Sequence, residues 1–453
     1  MNGKFSLSVV KAIDLIWTSF NREEIHRGYA MLMQAAQQGD ADALCFIARC
    51  FMGDQYVWSG AGFATDDENA SMLMQKSAVM GSAAGVLCCV RSGNFTPTVE
   101  RDMPFASFKE AFEEIREQAN RGNAFCCYLI GNVYFWGDYL MVEPKLAKTF
   151  KNERAYYAFA YPIARDYFER SFRGRVCAGW GNYCDIMDSG LGDIKKSTFE
   201  TYYRALAEIS PVICGNYGVY IERETGNYEL ANAYYTKAMQ RFDMQATFNL
   251  GCSYEKGEGV EKDLDSAFQL FEIAAIGGHP GAQWAVGYYY FEGWGNTEID
   301  YAKAADWFTK GYNNPKGDKK MDCAAYLAVC YQDGLGVVQD DDIAFEYLKD
   351  VEYNLEAISH DSIVGIALNA LGVAYAYGRG TRQDIESGIE YLESAVKLGN
   401  NEAKENLEHL ESCKLSEVNS GKSAAIQDSL FSKTDRNNRK TDGNGSPEST
   451  SHQ

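Results

Sequence analysis

The chain has 453 residues, with 63 Asp and Glu against 43 Lys and Arg, which gives a formal net charge of −20. This balance argues against a nucleic-acid-binding protein, because phosphate groups need a basic face, and it disfavours binding to an anionic membrane surface. Two interpretations of the charge stay open. It keeps the body of the protein in solution, or it selects partners that carry basic segments.

The N-terminus has the pattern of a helix rather than of a signal peptide. Val9, Ile13 and Ile16 share one helical face, whereas Lys11 and Asp14 interrupt the apolar run that a signal peptide needs. No run of 18 apolar residues predicts a membrane span. The 13 cysteines show no Cys-x-x-Cys and no Cys–His metal spacing, and unpaired cysteines fit a reducing compartment. We therefore expect a cytoplasmic protein without a metal or a cofactor.

Residues 1–244 are predicted to form helical repeats whose sequence pattern has degenerated. Ala43 and Ile47-Ala48 have the spacing of the first helix of a repeat, and Gly131 follows an apolar residue in the same way as the glycines of the later copies. The least regular stretch is 141–200, although its Gly190-Leu191-Gly192 still has the form of a repeat turn.

Residues 245–412 repeat one frame four times, and its first copy begins with Leu250-Gly251, Tyr254 and Gly257-Glu258-Gly259. The frame returns every 36 to 44 residues, a period typical of a solenoid rather than of a globular enzyme. The position of Gly251 is taken in the later copies by Gly287, Ala328 and Gly372. Because a glycine inside a helix costs ~1 kcal/mol relative to alanine, we expect this position to give room to a neighbouring helix.

Each copy predicts two helices joined by the Gly-x-Gly turn. Glycine supplies the left-handed conformation that a helix C-terminus favours, and Asp263 is expected to cap the second helix with its carboxylate. A phosphate-binding loop is the alternative, but it needs a preceding strand. Here a helix precedes Gly257, and Glu258 places a carboxylate between the glycines. We interpret the glycines as structural turns.

The frame of residues 245–412 resembles the Sel-1-like repeat family, which is related to the tetratricopeptide repeats; residues 215–240 resemble a tetratricopeptide unit more closely. The resemblance implies an all-α fold, a right-handed α/α superhelical solenoid of Sel-1-like and tetratricopeptide-like helix pairs. Residues 413–453 are rich in Ser, Asn, Asp and Lys with few apolar side chains. Such a segment buries too little surface to order itself, so we expect a disordered tail.

In stacks of this family the first helices line the concave surface, so the resemblance also implies a partner-binding groove. The residues that the family spacing assigns to it are Asn216, Tyr220, Arg223, Phe248, Glu255, Trp284, Tyr288, Phe291, Gln332 and Asn369. Trp284, Tyr288 and Phe291 follow the i, i+4, i+7 spacing of a single helix face. Such a stripe is either part of the core or a platform of binding hot spots, and both interpretations stay open.

No arrangement of nucleophile, base and orienting group is recognisable in the sequence, so we expect a protein that is not an enzyme. The leading hypothesis is an interaction scaffold or adaptor that binds a peptide or protein segment in its groove. Where the charge selects the partner, that segment is basic. The alternative is a bacterial effector or signalling regulator that acts on a host or envelope partner through the same surface.

Overall fold

The computed structural model describes residues 5–18, 21–52, 63–315 and 317–420. Within these ranges every regular element is helical, with 24 α-helices, one 3-10 turn and no strand. The prediction of an all-α solenoid is confirmed. The chain divides into two compact units, Met1–Asp243 and Met244–Gln453, which we call the N-terminal unit and the C-terminal unit.

The N-terminal unit is built from fifteen described helices. They are α1 Leu7–Thr18, α2 Arg22–Gln37, α3 Ala41–Cys50, α4 Asp67–Val79, α5 Ala83–Arg91, α6 Pro97–Asp102, α7 Phe108–Asn120, α8 Ala124–Phe135, α9 Tyr139–Val142, α10 Pro144–Ala147, α11 Glu153–Arg173, α12 Trp180–Ser189, α13 Lys196–Ala207, α14 Pro211–Thr225 and α15 Tyr228–Met239.

The C-terminal unit is more regular. Its described helices are α16 Met244–Lys256, α17 Leu264–Ile276, α18 Pro280–Glu292, α19 Tyr301–Tyr312, α20 Lys320–Asp333, α21 Asp341–Tyr353, α22 Asp361–Tyr377, α23 Ile385–Lys397 and α24 Asn401–Ser420. Helices α16–α17, α18–α19, α20–α21 and α22–α23 pack as hairpins, and the first helices α18, α20 and α22 also contact one another in order. Helix α24 continues past residue 413, where we placed the start of the tail; residues 421–453 lie outside the described ranges.

The second helix of each hairpin begins where the sequence provides a capping side chain. Asp263 accepts hydrogen bonds from the backbone N–H groups of Asp265 and Ser266, at 3.0 and 3.2 Å, which confirms its predicted role. Asp300 and Asp384 cap α19 and α23 in the same way. These bonds satisfy N–H groups that a helix start otherwise leaves without partners.

The Gly-x-Gly turns end the first helices and join neighbouring repeats. Gly257 and Gly259 have φ angles of 79° and 68°, in the left-handed region that L side chains rarely adopt. The second glycine also lies against the previous hairpin. A Cβ atom at Gly336 would collide with the backbone of Tyr301, and one at Gly380 with the backbone of Asp341. The glycines are structural turns, as the sequence predicts.

The glycines inside the first helices accept a bulky side chain from the second helix. An ideal Cβ on Gly251 would lie 2.6 Å from the ring of Phe271, and one on Gly287 would lie 2.7 Å from the ring of Phe308. A real Cβ atom does not come this close to a ring carbon, so the two helices approach as closely as they do only because the glycine has no side chain. The close approach that we expected at this position is confirmed.

The same arrangement occurs in the N-terminal unit despite its weaker sequence pattern. Helix α8 packs against α11, and a Cβ on Gly131 would lie 2.6 Å from the ring of Phe168. Helix α14 packs against α15, and a Cβ on Gly218 would lie 2.6 Å from the ring of Tyr235. The short helices α9 and α10 are inserted between α8 and α11, which accounts for the irregular sequence after residue 138.

Candidate functional site

The predicted groove residues lie on the first helices, but the structure buries most of them. Asn216 and Arg223 on α14 are exposed, whereas Tyr220 and Tyr288 are partly buried. Phe248, Glu255, Trp284, Phe291, Gln332 and Asn369 are all buried, with Trp284 only 4% exposed. The expectation that these six side chains line an open groove is therefore corrected. The first helices pack on their second helices and on one another, which leaves these faces inside the stack.

Trp284 and Tyr288 belong to the aromatic packing of the C-terminal unit. Their rings stack with centroids 5.4 Å apart, and the ring of Phe291 lies 5.1 Å from that of Tyr326 on the next first helix. The Nζ of Lys319 lies 5.6 Å from the centroid of the Trp284 ring. Of the two interpretations of the aromatic stripe, the structure favours the core.

Glu255 is the acidic member of the predicted set, and it is buried where α16 packs near α18. The hydroxyl of Tyr289 donates a hydrogen bond of 3.1 Å to its Oε1. Burial raises the pKa of this carboxyl group to about 7, because removal from water disfavours the charged form. A cavity of about 10 Å³ lies beside it, walled by Trp284 and Tyr288 among others. That volume holds about one water-sized group, so the cavity is too small for a peptide side chain.

Gln332 and Asn369 connect neighbouring first helices through their amide groups. The Nε2 of Gln332 donates to the carbonyl oxygen of Ala370 at 3.1 Å, and Asn369 Oδ1 accepts from the Nδ2 of Asn406 at 2.8 Å. Buried amides with these partners are satisfied polar groups. Their place in the repeat reflects the joining of helices α20, α22 and α24 rather than contact with a partner.

The predicted residues of α14 keep access to solvent. The hydroxyl of Tyr220 donates a hydrogen bond of 2.9 Å to Glu200 Oε1 on α13, and its ring packs near those of Tyr203 and Tyr217. Arg223 and Asn216 lie on the same helix and are exposed. Of the residues predicted to line a groove, those on this face of α14 are the ones that keep their access to solvent.

Sequence reasoning missed a buried arginine that ties the last two hairpins together. Arg379, at the centre of the fourth Gly-x-Gly turn, is 7% exposed, and its Nε donates to Asp341 Oδ1 at 3.0 Å. It also donates to the carbonyl oxygen of Gln332. A charged residue in the middle of a turn is normally interpreted as solvated. The one signal in the sequence was that this position is an arginine in the fourth copy only, since the other copies have Glu258, Trp294 and Leu335 there.

Neither a metal centre nor a membrane span is visible in the described ranges. Among those residues no group of three or more His, Cys, Asp or Glu is arranged to hold a metal ion. His279, a candidate by residue type, instead caps α18, since its Nδ1 accepts from the N–H of Ala282 at 3.1 Å. No helix in the described ranges is both long and apolar enough to cross a bilayer.

These features define the class of the protein as an α/α solenoid. The family model described as "Sel1 repeat" matches residues 204–240, 245–279, 280–315, 322–349 and 365–400. The chain therefore carries five Sel1 repeats, which confirms the family resemblance found in the sequence. The first of them takes in residues 215–240, where we saw a closer likeness to a tetratricopeptide unit.

The solved structures similar to this chain include the following two proteins. A Sel1 repeat protein from Oxalobacter formigenes is 27% identical with a TM-score of 0.36, over 44% of this chain and 81% of that one. A protective antigen present in uropathogenic Escherichia coli strains, which displays an SLR fold, is 19% identical with a TM-score of 0.48, over 84% of this chain and 81% of that one.

Proposed function

We propose that this protein is an interaction scaffold or adaptor that binds a peptide or protein segment and performs no catalysis. The observation that carries the proposal is the tandem array of five Sel1 repeats, because Sel1 repeats generally mediate protein–protein interactions. Repeat proteins use the surface of their stacked units for binding. The buried predicted residues support the repeats by packing, and the exposed side chains select the partner.

We propose that the partner of the C-terminal unit carries basic segments. Residues 244–453 contain 34 Asp and Glu against 18 Lys and Arg, whereas residues 1–243 contain 29 against 25. On α21 and α23 the exposed acidic side chains are Asp342, Glu346, Glu386, Glu390 and Glu393. Charge of one sign on one surface steers an oppositely charged partner towards it and selects against others. The same charge opposes nucleic acid.

We place the partner-binding face of the N-terminal unit on α14, where Asn216, Tyr220 and Arg223 reach the surface. A cytoplasmic location is part of the proposal. All twelve described cysteines are free thiols, and free thiols are the normal state in a reducing compartment.

The proposal is tested by measuring how the full chain binds a labelled six-residue peptide with Leu-Phe at its centre and lysines on both sides. Fluorescence anisotropy should show binding that weakens as salt is raised. The triple variant Asp342→Asn, Glu346→Gln, Glu390→Gln should bind about fivefold or more weakly, since three exposed charges contribute modestly each.

The matched control removes three charges from exposed positions of the N-terminal unit through Glu68→Gln, Glu153→Gln and Glu229→Gln, and it should bind like the unmodified chain. Equal binding by the triple variant and the control would contradict the assignment of basic segments to the C-terminal unit. Absence of salt dependence would contradict the electrostatic mechanism. A pull-down followed by mass spectrometry then identifies the natural partner.

A further inference from the structure

A groove of about 390 Å³ lies in the N-terminal unit between the end of α11 and helix α13. Its accessible apolar wall is formed by Ala205 from α13 and by Ile209 just after that helix, with Phe172 and Leu206 buried behind them. The volume falls in the range of clefts that bind small ligands and side chains of peptides, roughly 300–1,000 Å³. Unlike the cavity beside Glu255, this groove therefore has room for a bulky side chain.

Part of the lining of the groove is basic. Arg173 and Arg175 line it together with the hydroxyl-bearing residues Thr201 and Tyr202. Both arginines are exposed. Arg173 makes an ion pair with Glu169 at 3.5 Å, and across the described ranges Arg175 has no ion pair. The groove thus presents an uncompensated positive charge in a protein whose formal net charge is −20.

The backbone at Arg175 is unusual for an arginine. It follows Gly174, which ends α11, and its φ angle of 64° lies in the left-handed region. L side chains other than Asn and Asp rarely adopt this conformation, and glycine adopts it freely. The chain thus holds an arginine at a position where glycine would be relaxed, and the arginine side chain lines the groove. Residues held in such conformations are enriched at binding sites.

We propose that this groove binds an acidic peptide segment that carries a bulky apolar side chain. The apolar side chain lies against Ala205 and Ile209, and carboxylates on its flanks interact with the guanidinium groups of Arg173 and Arg175. Arginine suits this role, because its planar fork donates two parallel hydrogen bonds to a carboxylate. Charge complementarity selects the occupant, since an acidic segment is repelled by the acidic surface elsewhere and attracted here.

The inference rests on the proposed interaction function and adds a second partner chemistry to it. The C-terminal unit is proposed to select basic segments, and this groove is proposed to select acidic ones. A scaffold with both surfaces brings together two partners of opposite charge, and each partner is excluded from the other's site by like-charge repulsion.

The test uses the full chain and three labelled six-residue peptides of equal length. The first has Leu-Phe flanked by glutamates, the second has Leu-Phe flanked by lysines, and the third has Ala-Ala flanked by glutamates. The first should bind measurably tighter than the third, because only it fills the apolar wall. Arg175→Gly should weaken binding of the first about fivefold or more, on the scale of a lost charge-assisted hydrogen bond. It should leave binding of the second unchanged.

Arg175→Gly is a clean variant, since glycine is relaxed at this φ angle and the melting temperature should not fall. The matched control is Arg204→Gln, which removes an exposed charge from α13 outside the groove and should leave binding of the first peptide unchanged. Equal binding of the first and third peptides, or of Arg175→Gly and the unmodified chain, would overturn the inference. Binding of the lysine-flanked peptide alone would overturn it too, while leaving the proposed function intact.

Discussion

The N-terminal and C-terminal units share a packing device but differ in surface and regularity. In both, a glycine of one helix accommodates a ring from the next, as Gly131 does for Phe168 and Gly287 for Phe308. The position tolerates little change, because a Cβ there would collide with the ring. The interior of a repeat is thus held by a few steric requirements that persist even where the rest of the pattern has degenerated.

The surfaces of the two units follow no such requirement. Residues 244–453 have a net charge of −16, whereas residues 1–243 have a net charge of −4. Exposed charges contribute little to stability one by one, so the outside of a repeat can change its charge without losing the fold. The packing therefore determines the fold, and the surface charge is where the two units differ.

The strongest test of equal packing compares one buried tryptophan from each unit. Trp180 is 5% exposed and Trp284 is 4% exposed. Replacing either by alanine should lower the free energy of unfolding by about 3–5 kcal/mol, because a large cavity is left in a packed interior. Urea denaturation followed by circular dichroism measures both. A loss below about 1 kcal/mol for Trp180→Ala would show that the irregular region is loosely packed. The two units would then differ in the packing of their interiors as well as in their surfaces.

Trp284→Phe is the control for this pair of substitutions. It keeps most of the ring and removes a buried Nε1–H that has no hydrogen-bond partner in the described part of the chain. We expect a loss below about 1.5 kcal/mol, since apolar changes that nearly conserve volume are tolerated best. A loss as large as that of Trp284→Ala would mean that the full indole volume, rather than one six-membered ring, is needed to fill this interior.

The fold could be predicted closely from the sequence because its signals are local. The cap at Asp263, the turn at Gly257 and Gly259 and the glycine at 287 each depend on a backbone conformation or a contact within one hairpin. Such requirements leave a mark at a fixed place in the repeat. The burial of the residues predicted to line the groove could not be predicted, because it depends on how closely successive first helices approach one another. No residue spacing inside one repeat records that distance.

Two particular residues show where the site prediction failed. Trp284 has the spacing of a residue that faces the groove. In the structure it packs between its own hairpin and neighbouring helices, so its side chain is buried instead of exposed to solvent. Arg379 lies in a turn, where sequence reasoning expects solvent, yet its guanidinium is buried against Asp341. Both outcomes arise from contacts between repeats. The surface groove beside Arg175 likewise combines residues from separate helices, which no single motif encodes.

A second test acts on the glycine positions themselves. Gly131→Leu and Gly287→Leu should each cost about 1–3 kcal/mol, because the new side chain must displace Phe168 or Phe308. Unfolding should lose cooperativity near the substitution, since repeats contact mainly their neighbours. Differential scanning calorimetry and urea denaturation report both effects. An unchanged melting profile for one variant alone would show that its unit relaxes where the other does not.

The control for the glycine test is Gly181→Ala in α12. A Cβ at Gly181 would meet no heavy atom within 4 Å, so the alanine has room. It should stabilise the protein by about 0.5–1 kcal/mol, because alanine favours the helix more than glycine does. If Gly181→Ala instead destabilises the protein as much as Gly131→Leu, the steric explanation of the glycine positions is wrong.

The smallest expected effect is a difference between the two units in how their stability depends on pH. Burial raises the pKa of Glu255 from 4.5 to about 7, and burial raises the pKa of Asp42 in the N-terminal unit from 3.8 to about 6. A carboxyl group whose pKa is raised by folding stabilises the fold fully below its unfolded pKa. That stability is lost as the pH rises through the folded pKa, because the fold then holds a buried charge. The loss at Glu255 therefore extends to a higher pH than the loss at Asp42.

Isosteric amides distinguish the two carboxyl groups. Above about pH 6 the remaining fall in unfolding free energy should come mainly from Glu255, so Glu255→Gln should remove most of that fall. Asp42→Asn should instead reduce the fall below about pH 6. At pH 8 the unfolding free energy of Glu255→Gln should be about 1–2 kcal/mol higher than that of the unmodified chain. This is less than the full effect expected at ~1.4 kcal/mol for each unit by which the pKa is raised. The amide oxygen still accepts from Tyr289, as the carboxylate does at 3.1 Å. Urea titrations between pH 5 and pH 8 measure this, and parallel curves for Glu255→Gln and the unmodified chain would show that Glu255 titrates as an exposed group.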